Sequence, residues 1–271
     1  MKNFLKIPKI IHQFAPEDKK KWHPIWKPCR RSWLVHHVQE WRFDLWGDRS
    51  FDFFIRKHWS DKMHWEILTN FPIQIVKLDI ARYIIMYEMG GIYSDMDTFC
   101  YKNFYNTLDS DKIYLGPSHS NLELVQNSLL ISTGRNLFWR EVIAEAFKRI
   151  KNFDTRILKD ISNDPESPYH SFVRWSAGCG LLSDMYEKLK NIYNIEILDK
   201  SKFQVEPWIF NKNIITRHML TGRWGNEANQ KIIDSYKQKY PYLSDEEILK
   251  LDYKFFRGIN LDTFNWHSIS D

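Results

Sequence analysis

Asp95 and Asp97 stand two apart in "GGIYSDMDTF", residues 90–99, directly after an apolar run. In an extended chain, residues two apart point to the same side. The pair is therefore expected to present both carboxylates to one point. Hard divalent cations such as Mn2+ or Mg2+ take oxygen ligands and share them with substrate phosphates. In an open α/β sheet the carboxyl end of a strand is the usual ligand site. A metal–diphosphate complex is the chemistry this placement suits. The ordinary alternative is a turn, because Asp is also a turn residue.

A second pair precedes the first. Asp79 and Arg82 lie three apart within "KLDIARYIIMYEM". On a helix that spacing makes them neighbours on one face. Arg clamps phosphate or sugar oxygens in a planar fork, and Asp accepts from hydroxyls. The alternative is a surface i,i+3 ion pair, which contributes little.

Positioning these groups requires particular elements. Val76, Ile80, Tyr83, Ile84 and Tyr87 fall at helical spacing, so residues 73–89 are expected to form an amphipathic helix. Gly90 and Gly91 are expected to end it with positive φ, and "IYSDMD" follows as a strand and its exit. "IPKIIHQF" (7–14), "EWRFDLWGD" (40–48), "IYLGP" (113–117), "NSLLIS" (127–132) and "IEILD" (195–199) read as further strands. Helices are expected near Pro24, over 51–68, over 137–150, after the glycine turn of "AGCG", and from a capping box at "SDEE" (244–247). "SNDPESPYH" (162–170) reads as a loop. Strands alternating with helices argue for an α/β domain with a largely parallel sheet.

The bulk composition bounds the rest. The 271 residues suffice for one large domain, with 43% hydrophobic and 27% charged residues. A formal charge of +5 is compatible with anionic ligands or an acidic membrane surface, and is too weak to argue for nucleic acid. The three cysteines, Cys29, Cys100 and Cys179, form no CxxC pair. A disulfide framework and a structural zinc site are not expected, and a reducing compartment fits. The first fourteen residues lack the apolar core of a signal peptide, and no run of eighteen apolar residues occurs. The expectation is a cytoplasmic protein, peripheral at most on the inner membrane face. There is no Walker loop, HExxH or GxGxxG.

Taken together, "KLDIARYIIMYEMGGIYSDMD" resembles the signature of the DXD sugar-transferase family, which includes mannosyltransferases and bacterial capsule or oligosaccharide transferases. It is distantly similar to the glucosyltransferase domains of the large clostridial toxins. The matching elements are Asp79, Arg82, Tyr83, Gly90, Gly91, Ile92, Tyr93, Asp95 and Asp97. Weaker likeness runs over roughly residues 7 to 225, including "HMLTGRWG" (218–225) where the family has a His followed by Gly-Ser-Trp.

The resemblance implies a GT-A type nucleotide-sugar-binding fold, a Rossmann-like mixed sheet flanked by helices with added helical segments. One domain over residues 1–271 is expected, with a helical lobe around 17–70 and a C-terminal loop and helix region over 203–271. The resemblance also implies a nucleotide-sugar donor (a UDP-hexose or GDP-mannose), Mn2+ or Mg2+ as cofactor, and retention of the donor's anomeric configuration. Asp97 would bind the metal directly. Asp95 would hold the ribose and the metal's water shell. Asp79 and Arg82 would hold the donor sugar, Arg82 also near the diphosphate, and Tyr93 would lie close to the nucleotide.

Other residues are open between a role and an ordinary place. His218 offers a third metal ligand or is a plain polar histidine, with His267 as a rival. Trp224 closes over the donor or simply packs. His12 and Gln13 are ligand groups or strand-end hydrogen-bonding residues. Asn127 faces the sugar or only packs. The family often has Trp shortly after Gln13; here Phe14 and Ala15 follow, so Phe14 is the candidate base platform. Arg223 stands where Ser is usual. The basic aromatic stretch 19–33 is a solvated helix face, a surface for glycolipid-bearing membranes, or an acceptor platform. The expected acceptor is a saccharide or glycolipid, in polysaccharide or oligosaccharide synthesis. A toxin-like modifier of a host protein and a non-catalytic carbohydrate- or nucleotide-binding module are the competing readings.

Overall fold

The computed structural model describes residues 6–23, 25–58, 62–118, 122–151, 153–156, 167–206 and 212–220. In chain order the elements are β1 (Ile10–Phe14), α1 (Trp26–His36), β2 (Arg42–Trp46), α2 (Asp48–His58), α3 (Lys62–Asn70), α4 (Gln74–Glu88), β3 (Gly90–Ser94), β4 (Thr98–Cys100), β5 (Ile113–Pro117), β6 (Val125–Thr133), α5 (Leu137–Ile150), α6 (Pro168–Ser176), α7 (Cys179–Leu189), β7 (Ile195–Ile197) and β8 (Thr216–His218).

Six strands form one sheet in the order β2-β1-β3-β6-β5-β7, and β4 pairs with β8 in a separate ribbon. The sheet is largely parallel, as expected: β1 runs parallel to β2 and β3, and β7 to β5, while β6 is reversed and antiparallel to both β3 and β5. The sheet is mixed and flanked by helices, as a GT-A type fold requires.

The strands alternate sides, and the two faces carry different packing. Tyr93 and Leu130 pack with α4, α5, α6 and α7 on one face. Ile11, Ile92, Leu129 and Ile131 meet Trp33 of α1, Phe104 and Phe203 on the other. α4 is not one-sided as its spacing predicts: every residue from Asp79 to Met86 is buried. Its ends lack a side-chain cap at Ile73, so packing rather than capping holds it.

Three other boundaries differ from expectation. The stretch 51–68 holds two helices, α2 and α3, not one. The segment 162–170 is not all loop, because the Ser167 side chain accepts from His170 N and Pro168 opens α6; Pro fits the first helical turn, where its missing N–H costs nothing. The helix expected at 244–247 lies outside the described residues.

The junction of α4 and β3 explains the paired glycines. A single residue, Met89, separates helix from strand. Gly90 and Gly91 have φ of +66° and +101°, and a Cβ on Gly91 would lie 2.6 Å from the Ile10 carbonyl oxygen. The helix therefore drops straight into the sheet against β1, which only glycine permits.

Candidate active site

The two aspartates lie just past the carboxyl end of β3, in a tight turn rather than in extended chain. Thr98 N donates to Asp95 O at 3.1 Å, and Met96 between them is buried. The turn, not the pleat of a strand, brings the carboxylates together. Asp95 N donates to Ser128 O on β6 at 2.9 Å, which ties the turn to the sheet.

β8 delivers a third group. In the β4–β8 ribbon His218 is opposite Thr98, one residue after Asp97, and Met219 N donates to Asp97 O at 2.9 Å. His218 Nε2 lies 3.3 Å from Asp97 Oδ1. One ligand atom each from Asp95, Asp97 and His218 falls within 4.8 Å of the others. His218 Nδ1 is buried without a hydrogen-bond partner. Two carboxylates and an imidazole form an O,O,N donor set suited to Mn2+, so these residues fit the implied metal. Burial lowers the His218 pKa, but Asp97, backed by Asp95, outweighs it and holds the imidazole above its usual value.

The Asp79–Arg82 pair is no surface pair. Both residues are buried, at 4% and 8% exposure, and are turned toward the β3 exit. Arg82 Nη1 lies 3.3 Å from Asp79 Oδ1, and Nη2 lies 3.2 Å from Asp95 Oδ1. Burial disfavours the charged guanidinium, yet Asp95, Tyr93 and Asp79 together hold its pKa above the usual value. Its Nε remains buried without a protein partner. Asp79 is pushed up to about 7, by burial first, against the pull of Arg82. Burial likewise raises Asp95, with Arg82 opposing.

The surrounding residues fix this geometry. The Tyr93 hydroxyl donates to Asp95 Oδ1 at 2.6 Å, and the Arg82 guanidinium sits 5.2 Å from the Tyr93 ring centroid. Asn127 on β6 donates to Asp79 Oδ1 at 3.0 Å, while its carbonyl accepts from Arg82 Nη1 at 3.2 Å. The Tyr83 hydroxyl donates to Ala177 O at 2.7 Å and joins α4 to the turn before α7. A Cβ on Gly178, in that turn, would lie 3.4 Å from Asp79 Oδ2.

At the end of β1, Gln13 is wholly buried and its Nε2 has no hydrogen-bond partner. Phe14 is half-buried, its ring centroid 6.2 Å from Tyr93 and 5.4 Å from Phe51. His12 beside them is structural: its Nε2 meets Gly90 O at 2.9 Å, and its Nδ1 accepts from the Trp46 indole at 3.2 Å.

Arg30 escapes the sequence reading. Its Nη1 donates to Gln13 Oε1 at 2.9 Å, and burial lowers its pKa. It belongs to α1, whose Trp33 indole donates to Thr98 O at 2.8 Å and whose Ser32 hydroxyl accepts from Cys100 N at 2.8 Å. α1 thus grips the strand leaving the Asp-x-Asp turn. The available signal is only a charge run, with nothing to mark one cation from the next. Trp224, Arg223 and His267 lie outside the described residues.

A cavity of about 480 Å³ near Arg42, Trp46, Glu88 and Arg135 is elsewhere. Glu88 and Met89 precede β3, whereas the aspartates follow it.

Part of the chain, including Asp79, Arg82, Asp95 and Asp97, is similar to known glycosyltransferases. Residues 25–114 match the family described as the glycosyltransferase sugar-binding region containing DXD motif. Inositol phosphoceramide mannosyltransferase 1 of Schizosaccharomyces pombe is 36% identical over 101 residues, which is 36% of this chain and 30% of that protein. A mannosyl phosphorylinositol ceramide synthase of Saccharomyces cerevisiae is 33% identical over 96 residues, 35% of this chain and 23% of that protein. The chain thus spans less than a third of the length of these curated relatives. Among solved structures, the PaToxG glycosyltransferase aligns with a TM-score of 0.46 at 14% identity, over 93% of this chain and 87% of that one. Residues 25–114 are thus similar to the DXD-containing sugar-binding region of glycosyltransferases.

Proposed function

We propose that this protein is a metal-dependent glycosyltransferase that moves a hexose from a nucleotide sugar to a glycolipid or saccharide acceptor with retention of configuration. The carrying observation is the convergence of Asp95, Asp97 and His218 beside the buried Asp79–Arg82 pair. A carbohydrate- or nucleotide-binding module without turnover has no need of such a charged, desolvated cluster. The curated relatives are named for mannosyl transfer to inositol phosphoceramide, which makes GDP-mannose the first donor to test and a lipid headgroup the first acceptor.

A divalent cation bound by Asp95, Asp97 and His218 would supply charge neutralisation for a diphosphate leaving group. Arg82 stays cationic and is held in place by two carboxylates. Its unpartnered Nε is a donor left for a ligand oxygen. Asp79 orients Arg82 and offers an acceptor to a sugar hydroxyl. Tyr93 fixes the Asp95 carboxylate, and Asn127 fixes Asp79. Gln13 Nε2 is a second buried donor without a protein partner, on the adjacent strand.

The test is release of nucleoside diphosphate from a panel of GDP-mannose and UDP-hexoses, with Mn2+ and with EDTA. Metal-dependent release from one donor is the expected result. No release from any donor, with nucleotide binding intact, would leave only the binding module.

A further inference from the structure

We propose that the outer face of α1, with the lysine run before it, docks onto an anionic lipid bilayer. This rests on its own observations and does not require the proposed activity. From residue 19 to residue 39 the chain has no Asp or Glu, while Lys19, Lys20, Lys21, Lys27 and Arg31 supply five cations beside Arg30, which is turned to Gln13. Lys19–Lys21 form an exposed 3-10 turn.

α1 then divides its faces. Pro28, Cys29, Ser32 and Trp33 are buried against the body of the protein. Lys27, Arg31, Leu34 and Val35 follow i, i+4, i+7, i+8 spacing and form the opposite stripe. Leu34, Val35 and, just beyond the helix, Val38 are 36%, 49% and 66% exposed. The stripe is therefore cationic at its start and aliphatic at its end.

That combination is complementary to an anionic bilayer in both parts. Lysines meet the negative surface potential, and aliphatic side chains enter the boundary between headgroups and acyl chains. Nucleic acid offers phosphates to the lysines but no apolar surface to Leu34, Val35 and Val38, and single strands are held by exposed aromatic platforms. Among the described residues no helix is long and apolar enough to cross a membrane, so this contact would be peripheral. The inner face of α1 bonds to β4, directly after Asp97. A helix is only about 10–12 Å across, so the bilayer would lie close to the site.

The experiment is flotation with phosphatidylcholine vesicles, with and without phosphatidylinositol, using the full chain. Binding is expected only to the anionic vesicles and is expected to fade as salt rises. Lys20→Glu/Lys21→Glu/Lys27→Glu is expected to weaken it about a hundredfold or more, from roughly fivefold per cation. Val35→Asp/Val38→Asp is expected to weaken it at low salt as well. All five positions are exposed, and the salt series on the unaltered chain needs no variant. Absence of binding, equal binding to neutral vesicles, or indifference to either variant overturns the proposal. Displacement of the chain from vesicles by short single-stranded DNA at equal charge concentration would assign the face to nucleic acid and overturn it too.

Discussion

Arg82 bridges Asp79 and Asp95, one on the helix and one in the turn after β3, with its two terminal nitrogens 3.3 and 3.2 Å from their carboxylates. The fork, not the charge alone, makes this bridge. Lys has a single nitrogen and cannot span both acids in plane. Arg82→Lys is therefore expected to lower kcat/KM for the donor by about a hundredfold, on the scale of a lost preorganised electrostatic group. It is also expected to cost roughly 3 kcal/mol of stability, because a buried pair is left imperfectly matched. Steady-state kinetics and denaturant unfolding read the two effects. Kinetics equal to those of the unaltered protein would remove Arg82 from the site.

The metal assignment is tested by binding as well as by turnover. Asp97→Asn keeps the shape of the side chain but removes an anionic ligand. Mn2+ affinity, read by the loss of free-ion paramagnetic resonance signal, is expected to fall. Turnover is expected to fall by about two orders of magnitude or more. His218→Ala is expected to weaken Mn2+ binding less, because it removes a neutral ligand and leaves both carboxylates. If EDTA and both substitutions leave Mn2+ binding and turnover unaltered, the O,O,N set is not a metal site.

Much of this site is legible in the sequence because its parts are local. Asp79 and Arg82 are fixed by helical spacing, Gly90 and Gly91 by positive φ, and Asp95 and Asp97 by their place after a strand. The aspartates meet through a turn rather than through strand alternation, because strand spacing and a tight turn both bring residues two apart together. What stays hidden is long-range. The β4–β8 pairing that brings His218 to Asp97 spans more than a hundred residues, and three-residue strands leave no periodic signal. Arg30 meets Gln13 only because α1 packs on β4. The mixed sheet is hidden for the same reason, as a strand pattern carries no direction for β6.

Arg30 and Gln13 give a prediction about the donor rather than the metal. Arg30 holds the Gln13 carbonyl oxygen and so points the unpartnered Nε2. Arg30→Ala is expected to raise KM for the nucleotide sugar about tenfold with a smaller change in kcat, on the scale of one hydrogen bond to a charged group. Arg30→Lys is expected to restore part of the loss. Mn2+ affinity is expected not to move. An unaltered KM would make Arg30 a packing residue of α1.

His12 sets an acid limit on stability. It is fully buried, and burial, opposed by Gly90 O and Asp44, lowers its pKa to about 4. Protonation would place a second N–H against the Trp46 indole N–H that Nδ1 now accepts. The unfolded chain binds this proton near pH 6.5, the folded chain only near 4. Between those values the unfolded state holds more protons, so stability rises with pH there. His12 therefore contributes fully above about pH 6.5. Roughly 3 kcal/mol is lost as the pH falls from that value toward 4. His12→Gln is expected to be less stable at neutral pH but flatter across this window. Urea midpoints measured at intervals from pH 7 to pH 4 check it; a parallel decline in both proteins would assign the acid sensitivity to other groups.

The proposed retention of configuration rests on which acids are already engaged. An inverting transferase needs a carboxylate or imidazole to deprotonate the acceptor on the face opposite the leaving group. Among the described residues at this site, Asp79 is held by Arg82 and Asn127, Asp95 by Arg82 and Tyr93, and Asp97 lies against His218. Each of these acids has a charged or hydrogen-bonded partner, and the His218 imidazole is assigned to the metal. Attack on the same face as departure removes that need, because the leaving diphosphate oxygen itself takes the acceptor proton while Arg82 stabilises its charge. An α-linked nucleotide sugar is therefore expected to give an α-linked product. The anomeric proton and carbon couplings of the product, measured by NMR before any mutarotation, read this directly. Arg82→Lys is expected to slow the reaction without changing the anomer. A β-linked product would show that a base exists, and the half-buried Asp44, 3.6 Å from His12 Nδ1 at the sheet edge, would be the first acid to replace.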